Sequence, residues 1–78
     1  MFYTYVLKSS KDNDLYVGFS KDLIKRLKEH NGGLVKATMH RRPFKIVYYE
    51  ACIDEKKAIE REKALKTGFG RAYLKRRL

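Results

Sequence analysis

Seventy-eight residues, with 19 Lys and Arg against nine Asp and Glu, make a small chain of net charge +10. A domain of this size buries only about 60% of its unfolded surface, which limits it to one modest core. An apolar fraction of 44% excludes wholesale disorder. The lone cysteine, Cys52, excludes an internal disulfide and a Cys-based zinc site.

Residues 2–7 (FYTYVL) are β-branched and aromatic and predict a strand. Tyr3, Tyr5 and Leu7 share one face and Phe2, Thr4 and Val6 the other, so the strand carries apolar bulk on both sides and is expected to be central. The polar run 8–14 (KSSKDND) predicts a turn, and 15–19 returns as the second strand of a hairpin. Ser20 is the expected N-cap of a helix whose first turn holds Asp22 and whose apolar stripe is Leu23, Ile24 and Leu27. Asn31-Gly32-Gly33 stops it, with glycine available for a left-handed cap. Residues 34–43 form a basic connection containing Lys36, His40, Arg41 and Arg42.

Residues 44–53 (FKIVYYEACI) predict a third strand, with Cys52 expected as a buried thiol among Tyr48, Tyr49, Ala51 and Ile53. Asp54 caps a second helix that runs to about Lys66, the stretch 67–70 (TGFG) breaks it, and 71–78 predicts a short, very basic last helix. The order β-β-α-β-α-α implies one α+β layer domain over residues 1–78, a three-stranded sheet flanked by helices. No basic segment followed by an apolar run opens the chain, and no stretch approaches the roughly 18 apolar residues of a membrane span. The expectation is a soluble cytoplasmic protein without a membrane partner, whose charge attracts polyanions, nucleic acid first among them.

Three residues break the local pattern. At about 100° per residue, Glu62 falls inside the apolar stripe of Ala58, Leu65 and Phe69. It is an acid salt-bridged to an arginine at the core edge, a glutamate at the stripe's margin reaching water, or a carboxylate held on a rigid element for a metal or for catalysis. Arg26 and His30, four apart on the first helix, stack on one flank at the rim of its buried face. Separately they read as a snorkelling arginine and a helix-terminal histidine; together they offer a phosphate both charge neutralisation and a second donor or proton carrier. Tyr5 and Tyr16, like most strand tyrosines, read first as half-core residues with a wet hydroxyl.

In this order the residues resemble the GIY-YIG nuclease family. Tyr3-Thr4-Tyr5 matches its first signature tripeptide at the final tyrosine, and Tyr16-Val17-Gly18 matches the second closely. Arg26 and His30 fall at the family's helix arginine and histidine, and Glu62, in AIEREKALK, at its metal-binding glutamate. The chain is most similar to the small stand-alone bacterial members, which carry a basic segment like Arg41-Arg42-Pro43 before the third strand. The asparagine that many members carry beyond the glutamate has no counterpart, since the chain's only asparagines are Asn13 and Asn31; Lys66 and Lys75 are candidates for its place.

The resemblance implies a DNA endonuclease, structure-selective or non-specific, with a repair or recombination role by analogy. Tyr5, Tyr16, Arg26, His30 and Glu62 would be its catalytic residues. Glu62 would hold one Mg²⁺ or Mn²⁺ largely through water. Arg26 would neutralise phosphate charge, a tyrosine would position or deprotonate water, His30 would donate or relay a proton, and Gly18 would let the backbone approach the phosphate. Two basic groups would grip the nucleic-acid backbone: Lys36, Arg41, Arg42 and Lys45, and Arg71, Lys75, Arg76 and Arg77. The rival readings are a nucleic-acid-binding module of the same fold without catalysis, and a basic protein bound to ribosomal RNA or a partner protein.

Overall fold

The computed structural model describes residues 1–78. Strands β1 (Phe2–Ser9), β2 (Leu15–Ser20) and β3 (Phe44–Cys52) form one antiparallel sheet in the order β2-β1-β3, so β1 is central as its two apolar faces require. Helix α1 (Leu23–Asn31) covers one face, and α2 (Glu55–Leu65) and α3 (Gly68–Arg77) cover the other. On the α1 side Tyr5, Leu7 and Phe44 pack against Tyr16, Leu23, Leu27 and Ile46. On the opposite side Val6 and Val17 pack against Leu65 and Leu74. Thr4 on that face donates to the carbonyl of Ala58 at 2.8 Å, tying α2 to the central strand.

Local chemistry accounts for the boundaries and for four departures from the sequence reading. Asp22, not Ser20, caps α1 by accepting from the Lys25 amide, while the Ser20 hydroxyl accepts from the Asp22 amide and orders the approach. Gly33 takes φ +79° after α1, as a glycine stop should. Asp54 caps α2 as expected. Helix α3 starts at Gly68, three residues early, because Thr67 accepts from the Gly70 amide and restarts the helix at once. That restart turns Phe69 out of the α2 stripe, and it is 92% exposed. A side chain at Gly70 would run into the backbone of Leu65, so glycine there allows α2 and α3 to close on each other. Cys52 is half-buried rather than buried, since it ends β3, an edge strand, and Ile53 beyond it is exposed.

Candidate active site

Tyr5 and Gly18 are cross-strand partners on β1 and β2. Tyr5 is 1% exposed, and its ring lies over Gly18 so closely that any β-carbon at position 18 would overlap the phenol oxygen. Gly18 therefore seats the tyrosine. This corrects the expectation that its bare backbone faces a phosphate: the Tyr5 phenol fills that space and Gly18 is buried beneath it.

His30 corrects a second expectation. It is 0% exposed, not at the rim of α1, and its ring is enclosed by Tyr16, Tyr5 and Phe44 with centroids at 5.2, 5.8 and 6.1 Å. Its two nitrogens are both engaged: Nε2 lies 2.8 Å from the Tyr5 hydroxyl and Nδ1 2.7 Å from the Thr38 hydroxyl. Thr38 donates in turn to the Val35 carbonyl at 3.4 Å. When the Thr38 proton goes to Val35, the Thr38 oxygen accepts from Nδ1–H and Nε2 is left as the acceptor for the Tyr5 O–H; the tautomer of His30 sets this direction. A directed chain results: Tyr5 to His30 to Thr38 to Val35. Burial, then the charge of Arg26, push the His30 pKa below its ordinary value, so the imidazole is neutral.

Arg26, one turn before His30, pairs with Glu29 at 3.1 Å, and its guanidinium lies beside the Tyr5 hydroxyl. The Tyr5 contact, before Glu29, raises the Arg26 pKa. Its Nε is buried with no partner in the protein. Burial raises the Tyr5 pKa, against the opposing pull of Arg26, and the neighbouring charges of Tyr16 and Glu62 add to the rise. Tyr5, Arg26, Tyr16 and Glu62 thus form one electrostatic neighbourhood although they come from four elements.

Glu62 projects from α2 with its side chain 19% exposed and is held by Lys66 at 3.0 Å, while Ala58 and Leu65 of the same stripe are buried. No three His, Cys, Asp or Glu side chains cluster as a metal cage. One half-buried carboxylate, Glu62, is nonetheless donor chemistry that suits Mg²⁺ or Mn²⁺, since hard cations of this kind keep several waters and take one or two carboxylates.

The predicted basic groups are split and regrouped. Arg41, Lys45, Arg71 and Lys75 come together in one groove of about 1150 Å³, joined by Lys8 and Lys66. Lys36 and Arg42 are exposed elsewhere on the connection, where Arg42 donates to the Met39 carbonyl. Arg76 is exposed, and Arg77 lies over the Tyr73 ring at 3.9 Å. Neither asparagine lies beyond Glu62: Asn31 brackets the backbone of Phe44 at 2.7 and 3.0 Å, and Asn13 takes φ 62° in the hairpin turn. Sequence reasoning missed Thr38. A threonine in a basic connection carries no local signal, and only the pairing of a buried histidine with a second polar partner points to it.

An antiparallel β2-β1-β3 sheet with a tyrosine on each hairpin strand, an Arg- and His-bearing helix on one face and a Glu-bearing helix on the other has the layout of a GIY-YIG catalytic domain. The family model of that description, the GIY-YIG catalytic domain, matches residues 1–76, and the chain belongs to this nuclease family, whose members act on nucleic acid and generally use a divalent metal. It is 42% identical over 66 residues to a UPF0213 protein of Staphylococcus saprophyticus, covering 83% of this chain and 79% of that one. It is 43% identical over 67 residues to a UPF0213 protein of Clostridium perfringens, covering 85% and 71%. The solution structure of a UPF0213 protein from Bacillus halodurans superposes with a TM-score of 0.57 at 29% identity, covering 95% of this chain and 82% of that one. No helix is long and apolar enough to cross a membrane.

Proposed function

We propose that the chain is a divalent-metal-dependent endonuclease that hydrolyses phosphodiester bonds in DNA, structure-selective or non-specific, with a role in repair or recombination. The observation that carries this reading is the buried Tyr5–His30 pair, 2.8 Å apart, with Arg26 beside its hydroxyl and Glu62 within electrostatic reach. Family membership supports the reaction class, and the basic groove supports the polyanionic substrate.

A bound Mg²⁺ or Mn²⁺ at Glu62 would supply Lewis-acid stabilisation of charge on the scissile phosphate. Arg26 binds a phosphate oxygen and neutralises the charge that builds on it. A tyrosine is a poor base at pH 7, and burial makes Tyr5 poorer still. The directed chain removes that difficulty. As the water oxygen bonds to phosphorus, its proton passes to the Tyr5 oxygen while the Tyr5 proton passes to His30 Nε2. No free phenolate forms. His30 becomes imidazolium with its Nδ1–H still on Thr38, and the ester oxygen leaves as its P–O bond breaks. A phosphate on Arg26 offsets the positive charge that depresses the His30 pKa, so substrate itself makes His30 a better base. Tyr16, edge-on to His30, orients the imidazole.

The test is cleavage of labelled single-stranded, duplex and branched DNA, and of RNA, with Mg²⁺, Mn²⁺ or EDTA, with Glu62→Ala in parallel. Metal-dependent cutting that disappears in Glu62→Ala is the expected result. Cutting that persists in Glu62→Ala or in EDTA defeats the mechanism, and tight salt-sensitive binding with no cutting of any substrate establishes a binding module instead.

A further inference from the structure

The Tyr5–His30 pair and the basic groove lie on opposite faces of the sheet, while Glu62 on α2 is held by Lys66 of the groove. Tyr5, Tyr16 and His30 belong to the α1 face. The groove is floored by Val17, Val47, Leu65 and Leu74, which belong to the α2/α3 face. Both meet along β2, which is an edge strand. At one end of β2, Phe19 and Ser20 line a cleft of about 330 Å³ that contains Arg26. At the other end, Leu15, Tyr16 and Val17 line the groove. Gly18, under the Tyr5 hydroxyl, lies between them.

The groove carries cations along its rim, and its accessible apolar lining is Leu15, Tyr16 and Leu78. Lys8, Arg41, Lys45, Lys66, Arg71 and Lys75 line it, against the one acid Asp14. Arg41 is held by Asp12 and Lys66 by Glu62, whereas Lys8, Lys45, Arg71 and Lys75 pair with no carboxylate. Leu15, Tyr16 and Leu78 suit the faces of bases freed from a stack; a duplex keeps those faces stacked and shows only its backbone and base edges.

We infer that this groove binds a single strand of nucleic acid that turns around the β2 edge from the Arg26 cleft, so that the substrate at the cut is single-stranded or a single-stranded arm. A duplex is stiff over about 150 bp and resists turning around a sheet edge, whereas an unpaired strand turns freely. Sugar–phosphate charge and exposed bases are common to DNA and RNA, and the groove recognises both features. The direction of the strand toward the cut rests on the nuclease reading; the binding does not.

Binding is measured in EDTA by fluorescence anisotropy with a single-stranded DNA 12-mer, the same sequence as RNA, and its DNA duplex, over a salt series. The single strands are expected to bind at least fivefold tighter than the duplex, with a log–log salt slope of roughly −3 to −4 for four to six phosphate contacts. Lys45→Glu/Lys75→Glu reverses two groove charges; Lys28→Glu/Lys56→Glu removes the same net charge from exposed positions outside the groove and the cleft. The groove pair is expected to lose at least tenfold in single-strand affinity and the control pair less than threefold, both folded by circular dichroism. Equal losses in the two pairs, or a duplex bound as tightly as the single strands, overturn the inference. The ratio of DNA to RNA affinity identifies which strand the groove prefers. Because no cleavage is read, a protein that binds single strands but never cuts keeps this inference and loses only the nuclease reading.

Discussion

Two tyrosine networks stand on opposite faces of the sheet, and they are wired differently. On the α2/α3 face, Tyr48 donates to Glu50 at 2.7 Å and meets the Tyr73 hydroxyl at 3.0 Å. Arg61 grips Glu50 with Nε and Nη2 at 2.9 and 3.0 Å, and the Arg61 and Arg77 guanidinia lie over the Tyr73 ring at 4.7 and 3.9 Å. Burial opposes ionisation of Glu50, yet the Arg61 and Tyr48 hydrogen bonds hold its carboxyl below its ordinary pKa. Burial, then the contacts with Tyr73 and Glu50, push Tyr48 up. Every charge there is met by a partner within the protein. On the α1 face, the Tyr5–His30–Thr38 chain runs one way, and beside it Arg26 keeps a buried Nε with no partner. A saturated network clamps helices; the α1-face network opens at Arg26 into a cleft where a ligand can bind. Composition does not separate the two, since both combine tyrosine, arginine and glutamate.

The contrast breaks most sharply at the two arginines. Arg26→Ala is expected to cut cleavage by about 10²–10³-fold, the range for losing a transition-state donor, while the unfolding midpoint hardly moves. Arg61→Ala is expected to do the reverse, with near-normal cleavage and a lower midpoint. Single-turnover rates and urea denaturation on the same preparations check both. Similar rate losses in the two variants would erase the distinction between clamp and site.

Glu50→Ala probes the clamp from its acidic side. The Glu50–Arg61 pair is about one-third exposed, so solvent screens it, and most of the loss is the hydrogen bond from the Tyr48 hydroxyl, which keeps only its Tyr73 contact. A destabilisation of about 1–2 kcal/mol is expected from urea melts, with no change in the pH profile of cleavage.

Much of the frame was legible before any coordinates. Apolar residues on both faces of 2–7 put β1 at the centre, and the odd carboxylate on α2 singled out Glu62. The depth of His30 was not legible, because helical periodicity gives the angle of a side chain and not how far the helix sinks toward the sheet. Phe69 was misplaced for a related reason: a stripe extrapolated through Thr67 and Gly68 ignores a new cap. The groove was invisible because its cations come from both ends of the chain, and only the sheet brings Lys8 and Lys45 near Arg71 and Lys75.

Thr38 sharpens the account of the α1 chain. Thr38→Val keeps the volume but removes the acceptor for Nδ1–H, so the imidazole loses its reason to leave Nε2 bare. Cleavage is expected to fall about tenfold in kcat with KM unchanged, as one buried hydrogen bond is worth roughly 1–1.5 kcal/mol. Thr38→Ser should restore it. Long-range ¹⁵N–¹H spectra of His30 provide a readout independent of activity: the wild type should carry its proton on Nδ1 at neutral pH, and an Nε2–H form would reverse the proposed direction of the chain.

The smallest expected effect is on stability against pH, and it too separates the networks. Burial, then Arg26, depress the His30 pKa in the folded protein, so the unfolded chain binds the imidazole proton more readily. Between the folded value and the unfolded value near ~6.5, the unfolded state holds more protons, and stability must rise with pH. Stability is therefore full above about pH 6.5 and declines on acidification, by at most about 1.4 kcal/mol per pH unit for one proton. His30→Phe fills the cavity with a ring that cannot titrate, and it should flatten that slope between pH 5 and 6.5 in urea titrations. Glu50→Ala should leave the slope in place, because a carboxylate held below its ordinary pKa adds its own slope at lower pH. A slope that survives in His30→Phe would mean that His30 is not the buried neutral group on which the proton chain depends.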